Sequence, residues 1–392
     1  MNILLLTPPF TQLNTPYPAT AYLKGFLKTL GYTAHQADLG IEVILALFSK
    51  EGLQAVFHQI EQTASELSEN AFRIYQLREI YLDTINPVLL FLQHRNPTLA
   101  HAICDRSYLP EADRFKTLDD LEWAFGTMGI QDKARHLATM YLEDLSDLIK
   151  EAIDPHFGFS RYAERLAQSA SYFDELLEEL EGPNTLVSDW LVELLEKKLQ
   201  KWPSAVVCLS VPFPGNLFGA LKCGQYLKKH HPHIKVVLGG GYANTELRSV
   251  GEERLFDFID YLSLDDGEAP LQLLLEHLEG KRPADQLKRV FTRSDGVVAY
   301  CNGAVEKDVP QRETGTPDYS DLLLNDYLSV IELVNPMHRL WSDGRWNKLT
   351  LAHGCYWGKC SFCDISLDYI QRYEPIGPEL LCARVNLFHR PS

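Results

Sequence analysis

Ala205-Val206-Val207-Cys208-Leu209-Ser210-Val211 and, further on, Lys235-Val236-Val237-Leu238-Gly239-Gly240-Gly241 are the two segments whose reading decides the fold. Each is a short, valine-rich apolar run, the pattern of a strand buried on both faces of a parallel sheet. Between them, residues 217–229 carry apolar side chains at helical spacing. Strand, helix and strand predict one right-handed crossover unit. The first strand runs into a turn rich in Pro, Gly and Asn, and the second into three glycines.

The same rhythm continues on both sides. Towards the C-terminus, 245–256 predicts a helix, 258–264 a strand and 269–278 a helix. Towards the N-terminus, 2–7 is an apolar run stopped by Pro8-Pro9, 19–30 is a helix closed by Gly31, and 32–38 is a weaker strand. Together these segments predict an α/β fold, a flavodoxin-like doubly wound parallel sheet of five strands. Residues 41–201 break the pattern. Stripes such as Leu137, Met140, Tyr141, Leu145 and Leu148, with breakers at Asn96-Pro97, Asp154-Pro155 and Gly182-Pro183, predict a large all-helical insertion.

The predicted organisation follows. Residues 1–40 and 202–280 form the α/β domain, 41–201 the helical insertion, and 281–347 a connecting region. In that region Ser294-Asp295-Gly296, between Val290-Phe291-Thr292 and Val297-Val298, predicts a hairpin. Residues 348–352 predict a short strand that leads into a group of cysteines.

Among 392 residues, 45% are hydrophobic and 23% charged, as in a folded globular protein of two or three domains. The formal net charge of −16 argues against a nucleic-acid backbone or an anionic membrane surface as main partner. The first apolar run lacks a basic flank and stops at Thr7-Pro8-Pro9, so it reads as a buried strand and not as a leader. No run approaches the length of about 18 uncharged apolar residues that a membrane helix needs. A cytoplasmic location is the expectation.

Five of the eight cysteines are scattered, whereas Cys355, Cys360 and Cys363 fall within Gly354-Cys355-Tyr356-Trp357-Gly358-Lys359-Cys360-Ser361-Phe362-Cys363. In a reducing compartment such a group points to metal binding before disulfides. A structural zinc site needs four closed ligands, and His353 and Cys382 make no familiar zinc spacing with these three. An iron–sulfur cluster, another metal and plain buried thiols remain open on the residues alone. Three thiolates on a 4Fe–4S cluster would leave one iron free for a further ligand.

The segment resembles the cluster loop of radical S-adenosylmethionine enzymes. It departs from the common C-x-x-x-C-x-x-C by one extra residue, which Gly358 can absorb. The resemblance implies that Cys355, Cys360 and Cys363 bind a 4Fe–4S cluster and that S-adenosylmethionine chelates its open iron. It also implies that Phe362 lies near the adenine and that a flavodoxin or ferredoxin donates the electron. The preceding domain resembles cobalamin-binding domains, in which S-x-L is followed by GG. Here 26 residues separate Ser210-Val211-Pro212 from Gly239-Gly240, with Pro212 in place of the Leu. The resemblance implies that the serine stands near the nucleotide tail and that the glycines leave the tail a channel. Pro8, Ser210, Gly239, Gly240, Gly241, Gly267 and Glu268 are the candidate cobalamin contacts. Glycines that merely turn the chain are the competing explanation. The D-x-H-x-x-G half of that motif is absent after the first strand, and Asp154-Pro155-His156-Phe157-Gly158 is mis-spaced for it. The lower ligand of the cobalt is therefore unassigned.

The family's chemistry implies a cobalamin-dependent radical enzyme, with methyl transfer or another radical modification of an unknown substrate. The alternative is a non-catalytic cobalamin-binding remnant with a vestigial cluster loop. A third is a nucleotide-binding α/β protein with a zinc loop. Only 29 residues follow Cys363, and 376–385 supply one helix. The expectation is thus the first strand and cluster loop of a partial (β/α) barrel that turns over poorly by itself. No residue type in the pattern identifies a catalytic group.

Overall fold

The structure, a computed structural model, describes residues 1–63, 66–117, 129–159, 163, 164, 166, 173–331, 348–360, 363, 364 and 366–388. Its centre is a seven-stranded sheet. Five strands are parallel: β1 (Asn2–Thr7), β2 (Thr33–Asp38), β3 (Val206–Ser210), β4 (Lys235–Gly239) and β5 (Tyr261–Ser263). They lie in the order 2-1-3-4-5, the order of flavodoxin-like sheets.

Strand periodicity divides the core in two. Ile3, Leu5, Val206, Cys208 and Val237 face a smaller cluster with Leu27, Leu271 and Leu274. These last three come from helices α1 (Ala19–Thr29) and, as labelled below, the helix at Glu268–Leu278. Leu4, Leu6, Val207, Leu209, Val236 and Leu238 face the larger cluster. That cluster continues without a break into the helices of 41–201, which turn their apolar stripes towards it and their polar faces to solvent.

The insertion comprises α2 (Leu39–Leu47), α3 (Lys50–Thr63), α4 (Glu69–Gln76), α5 (Arg78–Leu92), α6 (Leu99–Cys104), α7 (Ile130–Ala152), α8 (Phe173–Glu181) and α9 (Leu186–Lys201). The remaining crossovers are α10 (Leu217–His230), α11 (Gly241–Glu246) and α12 (Glu268–Leu278). Among the described residues, no helix is long and apolar enough to cross a membrane.

Three sequence expectations change. The hairpin β6 (Val290–Ser294) and β7 (Val297–Cys301) does form, with Asp295 and Gly296 at φ 52° and 81°, the left-handed pair that a two-residue turn requires. It is not part of a separate connector, however. β6 pairs antiparallel with β5, Tyr261 opposite Thr292, and so covers an edge that would otherwise present unpaired backbone. The helix expected over 245–256 is cut short: α11 ends at Glu246, and a 3-10 turn forms only at Glu253–Asp257. Arg248 reaches back to Asp265, Nη1 to Oδ1 2.5 Å, and Asn244 Oδ1 accepts from the Asp265 N–H at 2.6 Å. The chain is held at the sheet edge instead of extending a helix. The strand expected at 348–352 reduces to β8 (Ala352–His353), paired antiparallel with β9 (Glu374–Pro375). The Ile376 N–H adds one further bond, to Leu351 O at 3.0 Å. α13 (Asp368–Gln371) and α14 (Pro378–Phe388) flank β9.

Beyond β7 the chain runs back over α1 and the β1 loop. The Asp318 N–H donates to Ala21 O at 2.9 Å, and the Leu328 N–H to Leu13 O at 2.8 Å. Tyr327 donates its hydroxyl to Asp38 Oδ2 at 2.7 Å. Asp38 also caps α2, accepting from the Gly40 and Ile41 N–H groups. Burial nevertheless dominates and pushes its carboxyl up to about 6 from 3.8. A raised carboxyl favours the folded state fully below pH 3.8 and loses that contribution as pH rises through 6. Asp38→Asn, which keeps an oxygen for the cap, is therefore expected to flatten the pH dependence of stability. Between pH 4 and 7 the wild-type protein should lose up to about 3 kcal/mol more than the variant. Thermal melts across that range check this, and identical profiles for the two proteins contradict it.

Candidate cofactor site

A cavity of about 240 Å³ lies between the smaller-core face of the sheet and helices α1 and α12. Its floor is Leu5, Cys208 and Val237, from the middle of β1, β3 and β4. Its upper part is Ser210, Gly239 and Ser263, the last residues of β3, β4 and β5. Ser210 pairs with Gly239, and Leu238 with Leu262, so these three small residues form one row across the carboxyl ends. Thr20, Tyr22 and Leu23 of α1 close one side, and Asp265, Asp266, Gly267, Glu268 and Leu271 the other. Carboxyl strand ends are where open α/β sheets bind ligands. This cavity differs in extending down the sheet face as well.

Of the expected contacts, Ser210, Gly239, Gly240, Gly267 and Glu268 come together in the lining, whereas Pro8 and Gly241 do not. Pro8 is buried in the β1 loop, its carbonyl accepting from Asn216 Nδ2 at 2.7 Å. The glycines have separate reasons. A Cβ on Gly239 would meet nothing closer than Ser263 O at 3.4 Å, an ordinary contact on the cavity side. Gly240 has φ +113°, and a Cβ there would stand 2.6 Å from Val211 O. A Cβ on Gly241 would stand 2.8 Å from Pro212 O. Gly239 keeps space open, while Gly240 and Gly241 let the turn pack on the end of β3. For these last two, the chain-turning explanation holds.

Thr20, Leu23 and Ser263 escaped the sequence-based choice. For Ser263 a signal existed: it ends its strand as Ser210 and Gly239 end theirs. The α1 face had a weaker one, since Thr20, Leu23 and Leu27 recur at three and four residues.

The cavity mouth is joined to the cysteine loop. Asp266 Oδ2 lies 3.1 Å from His353 Nε2 and 3.4 Å from Arg372 Nη2. His353 belongs to β8, and Arg372 lies two residues before β9, so one carboxylate ties both arms at the base of the loop. The Asp266 carboxylate raises the His353 imidazole above its ordinary value. Burial, and then the Asp266 charge, raise the Glu268 carboxyl. Arg384 of α14 is fully buried nearby, donating to Thr350 O at 3.2 Å and to Gly315 O at 3.0 Å, with its guanidinium 5.3 Å from the Tyr22 ring. These anchors were not legible in the sequence, because each pairs residues tens to hundreds of positions apart.

Within the loop, Gly354 and Gly358 adopt φ 73° and 58°, and the Cys355 N–H donates to Ile370 O at 3.0 Å. Gly358 thus makes a left-handed turn between Cys355 and Cys360. The Gly358 N–H donates to Cys355 Sγ at 3.5 Å. That contact and the Trp357 N–H lower the Cys355 thiol, favouring thiolate. Cys355 is half-buried, Cys360 and Cys363 are exposed, and all three are free thiols. Tyr356 and Trp357 are exposed as well. Phe362 lies outside the described residues. Among the described residues, no three or more His, Cys, Asp or Glu side chains are gathered to hold a metal. The loop carries three free thiols, and the cavity is a slot of about 240 Å³. No known protein-family model and no curated protein matches the chain.

Proposed function

We propose that this chain carries the corrinoid-binding and cluster-binding parts of a cobalamin-dependent radical S-adenosylmethionine enzyme. In these terms residues 1–40 and 202–280, with the β6–β7 hairpin added, are a flavodoxin-like cobalamin domain with 41–201 as a helical insertion. Residues 348–392 are the start of the radical domain. One observation carries the proposal: the cavity at Ser210 and Gly239 is fastened through Asp266 to the base of the loop bearing Cys355, Cys360 and Cys363. Two sites that the chemistry needs near each other are thus joined by a half-buried side-chain contact.

Cys355, Cys360 and Cys363 would hold the cluster, with Cys355 already biased towards the ligating thiolate. Bound cofactors would supply one-electron cleavage of S-adenosylmethionine and a methyl carrier. The chain's own work is then positional. Leu5, Val237 and Leu271 exclude water from the slot, Gly239 keeps it open, and Asp266 sets the loop against its mouth.

Anaerobic reconstitution with iron, sulfide and hydroxocobalamin, followed by desalting and metal analysis, tests this. About four irons and one cobalt per chain are expected. Cobalt without iron would mean a corrinoid-binding remnant with a vestigial loop. Iron without cobalt would overturn the assignment of the slot, and zinc alone would overturn both.

A further inference from the structure

The cavity lining is apolar apart from a few groups, and two of those have no use in the protein itself. Thr20 Oγ1 and Ser263 Oγ are buried, at 1% and 9% exposure for their residues, and neither has a hydrogen-bond partner among the described residues. Both line the same cavity: Thr20 on α1 and Ser263 at the end of β5. Buried hydroxyls in native proteins are nearly always paired, so an unpaired couple in one cavity points to a ligand that pairs them.

The remaining walls say what kind. Leu5, Leu23, Val237 and Leu271 offer flat apolar contact, suited to an aromatic ring. The acidic groups Asp265, Asp266 and Glu268 stand on one wall only, which disfavours an anionic phosphate beside them. At about 240 Å³ the cavity is below the range of about 300–1,000 Å³ typical of whole small-molecule sites. It fits one end of a larger ligand.

Resting on the corrinoid assignment above, we infer that Thr20 and Ser263 are specificity-determining residues that hydrogen-bond the base at the end of the corrinoid's nucleotide tail. The cavity therefore selects a nitrogen heterocycle over a phenolic base. A benzimidazole or purine offers a ring nitrogen as acceptor once that nitrogen is free of the cobalt, and a phenolic base offers none. A site built to hydrogen-bond a ligand rejects an analogue that cannot, because its own buried groups stay unpaired.

The test is equilibrium binding, read by visible absorption and tryptophan fluorescence. The probes are hydroxocobalamin, a cobamide with a p-cresol base, and cobinamide, which has the ring and no base. Wild-type protein is expected to bind hydroxocobalamin at least about tenfold more tightly than the p-cresol form. Thr20→Val and Ser263→Ala should each weaken hydroxocobalamin by about tenfold and leave cobinamide unchanged. Melting temperatures close to wild type show that the variants are folded, and the two-base comparison on wild type needs no variant. Equal affinity for both bases, or variants that bind hydroxocobalamin as wild type does, overturns the inference while leaving the corrinoid assignment standing. If wild type binds none of the three corrinoids, the assignment itself fails and the inference with it.

Discussion

Gly239→Val is expected to lower corrinoid affinity by about a hundredfold or more while leaving the fold nearly intact. Gly239 ends β4 in register with Ser210, and valine is well suited to a strand. A Cβ there meets only an ordinary contact at Ser263 O, 3.4 Å away. The added methyl groups enter a slot of about 240 Å³ that one aromatic end group would fill. Gly240→Ala should behave in the opposite way. Its φ of +113° is left-handed, and its Cβ would stand 2.6 Å from Val211 O and 2.8 Å from Val211 N. Backbone strain of about 1–3 kcal/mol and overpacking of similar size should appear as a loss of stability in urea unfolding. Titration with hydroxocobalamin separates the two variants. Normal binding by folded Gly239→Val would show that the ligand does not use this slot.

The second large effect concerns the thiols. Replacing Cys355, Cys360 and Cys363 together by alanine is expected to reduce reconstituted iron from about four per chain to none. Folding and hydroxocobalamin binding should be unaffected. The loop is exposed, and none of the three side chains belongs to either core cluster. Cys382, also exposed, and Cys104 serve as controls whose replacement should leave iron content unchanged. Full iron retention in the triple variant would be incompatible with these three ligands. Loss of cobalt binding together with iron would contradict the independence of the slot from the three thiols.

Much of the sheet was legible because a strand buried on both faces needs an unbroken apolar run, and 2–7, 205–211 and 235–238 provide it. The hairpin was legible because Asp295-Gly296 can take two left-handed positions in succession. The cysteine spacing and the Ser210 to Gly239 interval were legible as local patterns. Strand β8 was overcalled: Leu349 and Leu351 alternate well, yet among the described residues the ladder pairs Ala352 and His353 with Pro375 and Glu374, and Leu351 adds one bond to the Ile376 N–H. The helix over 245–256 was overcalled for a similar reason, since a tie from Arg248 to Asp265 outweighed a modest helical preference.

By itself, the sequence determined the alternation of strands and helices and the grouping of three cysteines within nine residues. These depend on short-range periodicity and on residue chemistry that no packing can change. Only the tertiary structure decided that the hairpin seals the sheet edge and that the three glycines do different work. It alone placed Thr20 and Ser263 in one cavity and tied Asp266 to both arms of the cysteine loop. Each of these depends on contacts between residues far apart in the chain. Neither partner's local sequence records the other, because a hydrogen bond or ion pair is selected by distance in space and not by spacing along the backbone.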